Sequence, residues 1–410
     1  MNPKDIPIRY FGDFNPGTGY NVAARGYAHA LRQLGYSTDT MRLIPALMVG
    51  LEASDVDRDD WTNDYMHGDW LGDDSQDKVN IVHLNPGAVG DYWTPLGGRY
   101  NIAITTWETD RLPMTEFGQD KRTVGGDLNK YDEIWVPCRF VKEMFIRCGV
   151  EKPIFVIPHV LLPEFPLRVK EVGRYRKNKT VFYTIGTWNA RKDLERVLHA
   201  YFTAGWNPLS GTILQLFSVP PTRNGQRVYA HGWLAQQALE RIRASSGDED
   251  SLPSHGLHTI YVPYSQVGER HLGSDVFVTA SHGEGFCLPA LEAAACGNWI
   301  IGGGPWLEEL AGVAGKVEDG GLIDLLPAEL VPITPMPEVR GYELDQQWWN
   351  TKLADLRDAM KAAHEARQDG EHQRVEAAAR VREAYSPQAI AKLIAPRMEH
   401  VAEVMRGAGW

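Results

Sequence analysis

Two carboxylates, Glu284 and Glu292, stand eight positions apart in the segment S-H-G-E-G-F-C-L-P-A-L-E-A-A-A-C-G that runs from Ser281 to Gly297. An apolar run, Val276–Ala280, precedes them and predicts a strand. Pro289 suits the opening turn of a helix that begins near Leu288. Gly285 leaves room for a ligand against the backbone. The N–H groups and dipole of such a helix start favour an anion such as a diphosphate. Glu292, inside the first turns, can accept two hydrogen bonds from a ribose diol. A second charged group, Arg191-Lys192, closes the segment G-T-W-N-A-R-K that opens at Gly186, again after a predicted strand. Two adjacent cations at a strand–helix turn can neutralise a departing diphosphate. Gly17 and Gly19 mark a third turn of this kind. Asp55 and Asp57 form a D-x-D triplet, but no buried strand end flanks it, and no metal site is expected there.

The elements that must carry these residues alternate. Ile6–Phe11 predicts a strand that enters the glycine-rich turn Gly12–Gly19. Ala23, Tyr27, Ala30, Leu31 and Leu34 then fall on one helical face, and Gly35 stands where a helix stop is wanted. Further strands are expected at Val79–Leu84, Tyr100–Thr105, Glu133–Val136 and Ile154–Ile157, with a helix over Arg139–Cys148. Pro158, Pro163, Pro166 and the basic stretch Arg168–Lys179 read as a linker. The pattern restarts with strands at Val181–Ile185, Thr212–Phe217, Thr259–Val262, Val276–Ala280 and Trp299–Ile301. Leu194, Val197, Leu198, Tyr201 and Phe202 line a helix in this half. Near the end, Trp349, Leu353, Leu356, Met360 and Ala363 share one helical face. Ser386-Pro387 caps a last helix lined by Ile390, Leu393, Ile394, Met398, Val401 and Met405.

The pattern predicts an α/β chain with two similar Rossmann-like halves, each a parallel sheet with helices on both faces. The boundaries fall at 1–165 for the first domain, 166–179 for the linker, 180–385 for the second domain and 386–410 for a terminal helix that returns to the first. Ligands bind at the carboxyl ends of parallel strands, so a site in the cleft between the halves is expected. The loops Gly12–Gly19, His83–Gly87, Gly186–Lys192 and Ser281–Leu288 are in candidate position.

The Ser281–Gly297 segment resembles the E-x(7)-E signature of retaining GT-B glycosyltransferases of family 4, whose form is close to E-G-F-G-L-P-x-L-E-A-M-A-C-G. Cys287 stands where the family has Gly. Gly186–Lys192 is similar to the family's G-R-L-x-x-x-K-G; Lys192 aligns with its Lys, whereas Thr187 replaces its Arg and Arg191 stands beside the Lys instead. The segment Thr105–Pro113 is similar to W-E-T-x-R-x-P stretches of some members, and Asp132–Phe140 and Phe155–His159 to scaffold segments. The matches run from Gly12 to Val401, with 41–78 and 320–347 divergent. The resemblance implies a GT-B fold and a sugar transfer from a nucleotide-sugar donor, UDP- or GDP-linked, with retention and without a metal or other cofactor. Glu284, Arg191 and Lys192 would be catalytic, with Glu284 beside the donor sugar. Glu292 would hold the ribose, and Gly17, Gly19, Thr187, Gly285, Phe286, Cys287 and Leu288 would line the donor. His83, Trp107 and Glu108 would face the acceptor, which the sequence does not name.

Composition narrows the partners. The 410 residues, 43% hydrophobic and 23% charged, suit two globular domains. A formal net charge of -11 disfavours nucleic acid as acceptor and anionic lipid as a surface. Much of it is concentrated in Leu51–Asp77, which holds ten Asp or Glu against Arg58 alone and reads as a solvated loop. Four cysteines without C-x-x-C spacing, a start without a signal-peptide apolar stretch and no long apolar run predict a cytoplasmic protein without a transmembrane helix. Three other readings stay open: a GT-B phosphorylase or epimerase, a non-catalytic binding subunit (favoured by Thr187), and a nicotinamide oxidoreductase, whose fingerprint fails at Val22.

Overall fold

The computed structural model describes residues 3–14, 19–37, 41–45, 78–88, 98–114, 123–166, 179–206, 209–219, 222–223, 226–227, 236–242, 244, 254–258, 264–334, 342–366 and 371–407. Gly17, Asp55, Asp57 and the strand expected at Thr259–Val262 lie outside these residues. The chain divides into two units: Met1–Pro163 with Pro335–Gln346 and Ala384–Trp410, and Glu164–Thr334 with Gln347–Glu383.

The first unit is built on the strands β1 (Ile8–Gly12), β2 (Met41–Pro45), β3 (Val79–His83), β4 (Tyr100–Ile104), β5 (Glu133–Val136) and β6 (Ile154–Val156). They form a six-stranded sheet in the order β2-β1-β3-β4-β5-β6, every pair parallel. Residues of β1, β3, β4 and β5 are buried throughout, as a sheet covered on both faces requires. Helix α1 (Gly19–Gln33) ends at Gly35, whose φ of +94° suits glycine. The helices α2 (Val124–Leu128) and α3 (Arg139–Arg147) follow later strands. The C-terminal helix, Pro387–Gly407, packs into the core of this unit. Its Ile390, Ile394, Met398, Val401 and Met405 join Tyr10, Tyr27, Leu31 and Ile81 in one buried cluster. Leu393 departs from the expected apolar face and is exposed. Arg397 of this helix bonds the buried Glu133, which also accepts from Tyr100 Oη (2.9 Å) and Trp135 Nε1 (2.6 Å).

The second unit has its own six-stranded sheet, from β7 (Thr180–Thr187), β8 (Thr212–Val219), β11 (Ser254–His258), β12 (Val276–Val278), β13 (Trp299–Gly303) and β14 (Ile323–Leu326). The two-residue strands β9 (Thr222–Arg223) and β10 (Gln226–Arg227) pair apart from it. The order is β11-β8-β7-β12-β13-β14, all parallel. Numbered within the unit this is 3-2-1-4-5-6, the dinucleotide-fold order, with its reversal between β7 and β12. Its helices include α4 (Leu194–Phe202), α5 (Tyr264–Leu272), α6 (Leu288–Ala295), α7 (Glu308–Ala314), α8 (Leu353–Glu365) and α9 (Glu371–Ala384). An antiparallel hairpin, β15 (Ala328–Pro332) with β16 (Gln347–Thr351), follows β14. Trp349 therefore lies in a strand, and the helix expected to include it begins at Leu353. The β16 strand is specified by pairing with β15, which local apolar spacing does not report.

Candidate functional site

Sheet reversal opens a crevice at the carboxyl ends of the two strands that flank it. In the second unit these are β7 and β12, and the turn after each carries the charged residues. After β7 the chain turns sharply before α4. The Asn189 side chain accepts from the Lys192 N–H (2.9 Å) and its carbonyl from the Asp193 N–H (3.1 Å). Asp193 sits in the left-handed region at φ 41° and caps α4, with its carboxylate accepting from the Arg196 N–H. This tight geometry leaves Arg191 and Lys192 side by side at the helix entrance.

After β12 comes the loop that holds Glu284. Glu284 is buried, at 7% exposure. Lys192 Nζ bonds Glu284 Oε1, and Arg191 Nη1 stands 3.3 Å from Oε2 while also donating to the Gly283 carbonyl. Burial alone would raise the Glu284 pKa, but Lys192, Arg191 and a Ser281 hydrogen bond outweigh it and hold the carboxyl below its ordinary range. Glu284 is thus an ionised carboxylate between two cations, and the group keeps one surplus positive charge. Cys287 precedes α6 at φ 66°, the left-handed conformation that glycine adopts without strain. Its thiol is buried and pushed up to about 12, chiefly by burial and then by Glu284. Asp193 and Cys287 are the two non-glycine residues at positive φ among the described residues, and both stand at helix entrances beside this group. Gly285 and Phe286 are buried beside Cys287, Leu288 opens α6, and Thr187 closes β7.

Glu292 lies further along α6, buried at 5% exposure, and is held by residues the sequence reading did not select. Tyr264 Oη donates to Oε1 (3.0 Å) and His271 Nε2 stands 3.3 Å from Oε2. The carboxylate only accepts, so Nε2 carries the proton that bonds it. In the neutral ring Nδ1 then accepts from Tyr183 Oη (2.6 Å), and Tyr183 in turn accepts from Asn298 Nδ2 (2.8 Å). Each oxygen of Glu292 keeps a lone pair for another donor. Tyr264 and His271 are seven residues apart on α5 and so share a helix face, which is the signal that could have found them.

In the first unit the reversal falls between β1 and β3, and His83 ends β3. His83 is buried among the rings of Tyr10, Tyr20, Tyr27 and His159, with Nδ1 2.9 Å from Tyr10 Oη. Burial, then His159, keeps its pKa well below the usual histidine value, so the ring is neutral. Gly19 opens α1 at the same end. Trp107 is 5% exposed, donates to Thr109 Oγ1 (2.8 Å) and stacks on Tyr342 at 5.3 Å between centroids. Tyr342 Oη donates to Glu108 (3.0 Å). Trp107 therefore offers little free ring surface, and Tyr342 joins this candidate acceptor pair without any signal in the sequence. Among the described residues no group of three or more His, Cys, Asp or Glu could hold a metal, and no helix is long and apolar enough to cross a membrane.

Residues 248–304, which include Glu284, Glu292 and α6, match the family model of glycosyl transferases group 1. A search of curated proteins finds no match to this sequence. Among solved structures, the sucrose-phosphate synthase of Thermosynechococcus elongatus superposes with a TM-score of 0.63 at 14% identity, covering 97% of this chain and 99% of that one. The α,α-trehalose 6-phosphate synthase of Burkholderia multivorans gives 0.59 at 13% identity, covering 99% and 98%. A TarM variant from S. aureus, solved with UDP, α-GlcNAc-glycerol and fondaparinux, gives 0.52 at 12% identity and covers 80% of this chain. This chain spans 57% of the length of that TarM chain. The fold is GT-B, with two Rossmann-like domains, and its second domain carries a glycosyl transferases group 1 segment.

Proposed function

We propose that this chain is a retaining glycosyltransferase that needs no metal and uses a nucleotide-sugar donor, UDP- or GDP-linked. The observation that carries the reading is the Arg191–Lys192–Glu284 group at the sheet reversal of the second unit. Cleavage of a sugar–diphosphate bond builds positive charge on the anomeric carbon and negative charge on the leaving oxygen. Arg191 and Lys192 stabilise the second, supplying in fixed form the charge that a metal supplies elsewhere. Glu284 accepts from donor sugar hydroxyls and opposes the first. The acceptor hydroxyl attacks on the face from which the diphosphate leaves, and a phosphate oxygen takes its proton, so no covalent nucleophile is assigned. Glu292, pre-oriented by Tyr264 and His271, accepts from the ribose diol. The likeness to a TarM structure solved with UDP supports a UDP-linked donor. His83, Trp107 and Glu108, with Tyr342, are assigned to the acceptor. All four cysteines are free thiols, which suits a reducing, cytoplasmic setting.

A second reading, a nucleotide-sugar-binding subunit without turnover, rests on Thr187 in place of the family's Arg. Two variants test the assignment. Glu292→Ala should weaken UDP binding by about tenfold or more while the fold persists, because two charge-assisted hydrogen bonds are lost. Lys192→Ala should cut nucleotide release more than donor binding. Wild-type behaviour in both would place the site elsewhere, and donor binding without any release would favour the second reading.

A further inference from the structure

His282 does more than precede Glu284 in the chain. Its backbone N–H donates to the Arg191 carbonyl (2.7 Å), and its carbonyl accepts from the Trp349 N–H (2.8 Å). Its ring lies flat on Trp348, with centroids 4.8 Å apart and planes at 11°. Nδ1 faces the Trp349 carbonyl at 2.7 Å and Nε2 faces Asp193 Oδ2 at 3.2 Å. Both partners only accept, so whichever ring nitrogen carries a proton donates to one of them. Asp193 Oδ2 is shared with Arg196 Nε (2.6 Å), and Arg196 reaches back to Asn350 and to the Thr351 carbonyl (2.9 Å). The bonds close a ring through the turn after β7, the loop after β12 and strand β16. The Arg191–Lys192 pair and Glu284 hang from two of its three sides.

We infer that His282 is a positioning residue: through Asp193 and β16 it holds the Glu284 loop at bonding distance from Arg191 and Lys192. The inference rests on reading that group as the leaving-group site. Neither a general stabilising role for His282 nor the position of Glu284 alone requires the two to be coupled.

A double-mutant cycle without ligand tests the coupling. Melting temperatures are taken for wild type, His282→Asn, Glu284→Gln and the double variant. His282→Asn should lower the melting temperature by about 4 °C, and the double variant should fall short of the summed losses by about 2 °C or more. Additivity within about 1 °C overturns the inference. His282→Gln, whose amide nitrogen can take the place of Nε2, should restore the coupling. Should His282→Asn not fold, Asp193→Asn keeps the α4 cap and takes its place. UDP titration forms the second arm: His282→Asn loosens Glu284 from the two cations and should tighten UDP about threefold or more, and His282→Gln should change it by less than about twofold. Equal UDP affinity in wild type and His282→Asn also overturns the inference. If UDP and GDP both fail to bind wild type, the leaving-group reading fails, and the ligand-free cycle still decides the positioning role.

Discussion

Replacing Glu284 by Gln removes one charge from the middle of the site and keeps its shape. In the ligand-free protein the carboxylate, with its side chain 9% exposed, neutralises part of Arg191 and Lys192. At 3.3 Å, the Arg191–Glu284 distance, a unit pair attracts by about 5 kcal/mol at an effective dielectric of about 20. Desolvation cancels much of this, yet losing one partner of a buried pair still costs about 3 kcal/mol. The variant should therefore melt lower than wild type. A diphosphate, however, no longer competes with Glu284 for the two cations. If one-third to one-half of the lost attraction returns on binding, UDP should bind tighter by about 1.7–2.5 kcal/mol, or roughly seventeenfold to seventyfold. Calorimetric titration with UDP measures this directly, and release of nucleotide from a UDP-sugar should fall in the same variant, because the sugar loses its carboxylate partner. UDP affinity that is unchanged or weaker in Glu284→Gln would refute the competition and with it the placing of the diphosphate on these cations.

Three further outcomes follow from the same structure. Arg397→Met leaves the fully buried Glu133 with only its neutral donors, and should cost about 3–5 kcal/mol in urea unfolding while leaving UDP binding untouched if the variant is folded. Cys287→Gly should change stability by less than about 1 kcal/mol, because release of left-handed strain offsets a lost buried thiol, whereas Cys287→Val should lose about 2 kcal/mol or more. The buried His83 and His159 have depressed pKa values, the latter about 3, both led by burial. The unfolded chain binds protons that the folded chain refuses, so their contribution is complete above pH ~6.5 and declines as pH falls below it, by up to about 1.4 kcal/mol per pH unit for each ring. Urea unfolding at pH 7 and pH 5 should show this loss, and it should shrink in His159→Gln.

Where residues lie close in sequence, their grouping could be read from the chain alone. Glu284, Arg191 and Lys192 lie in turns after short apolar strands and Glu292 in the helix that follows one, and the structure brings the first three into contact. Strand–helix alternation likewise announced two parallel sheets. What stayed hidden depends on residues distant in sequence. Trp349 fitted a helical stripe with Leu353 and Leu356, but its backbone pairs with Leu330 in β15. The segment Ser254–His258 lacks β-branched residues, and it is a strand because it pairs along β8. His282 stood inside the Ser281–Gly297 segment, but nothing there marked its role, which arises only when Asp193 and Trp349 arrive from elsewhere. Tyr342 reaches Trp107 and Glu108 across more than two hundred residues of chain, beyond any spacing rule.

If Arg191, Lys192, Glu284 and Glu292 form a nucleotide-sugar site, the folded chain binds a nucleoside diphosphate. The measurement that tests it most directly is a melting screen with UDP, GDP, ADP and their common sugar conjugates, with released nucleotide assayed for each ligand that binds. A ligand that binds only the folded chain raises its melting temperature. A clear rise is expected with UDP or GDP, with slow release of that nucleotide from its sugar conjugate and loss of the rise in Glu292→Ala. No rise with any nucleotide on well-folded protein would contradict that site.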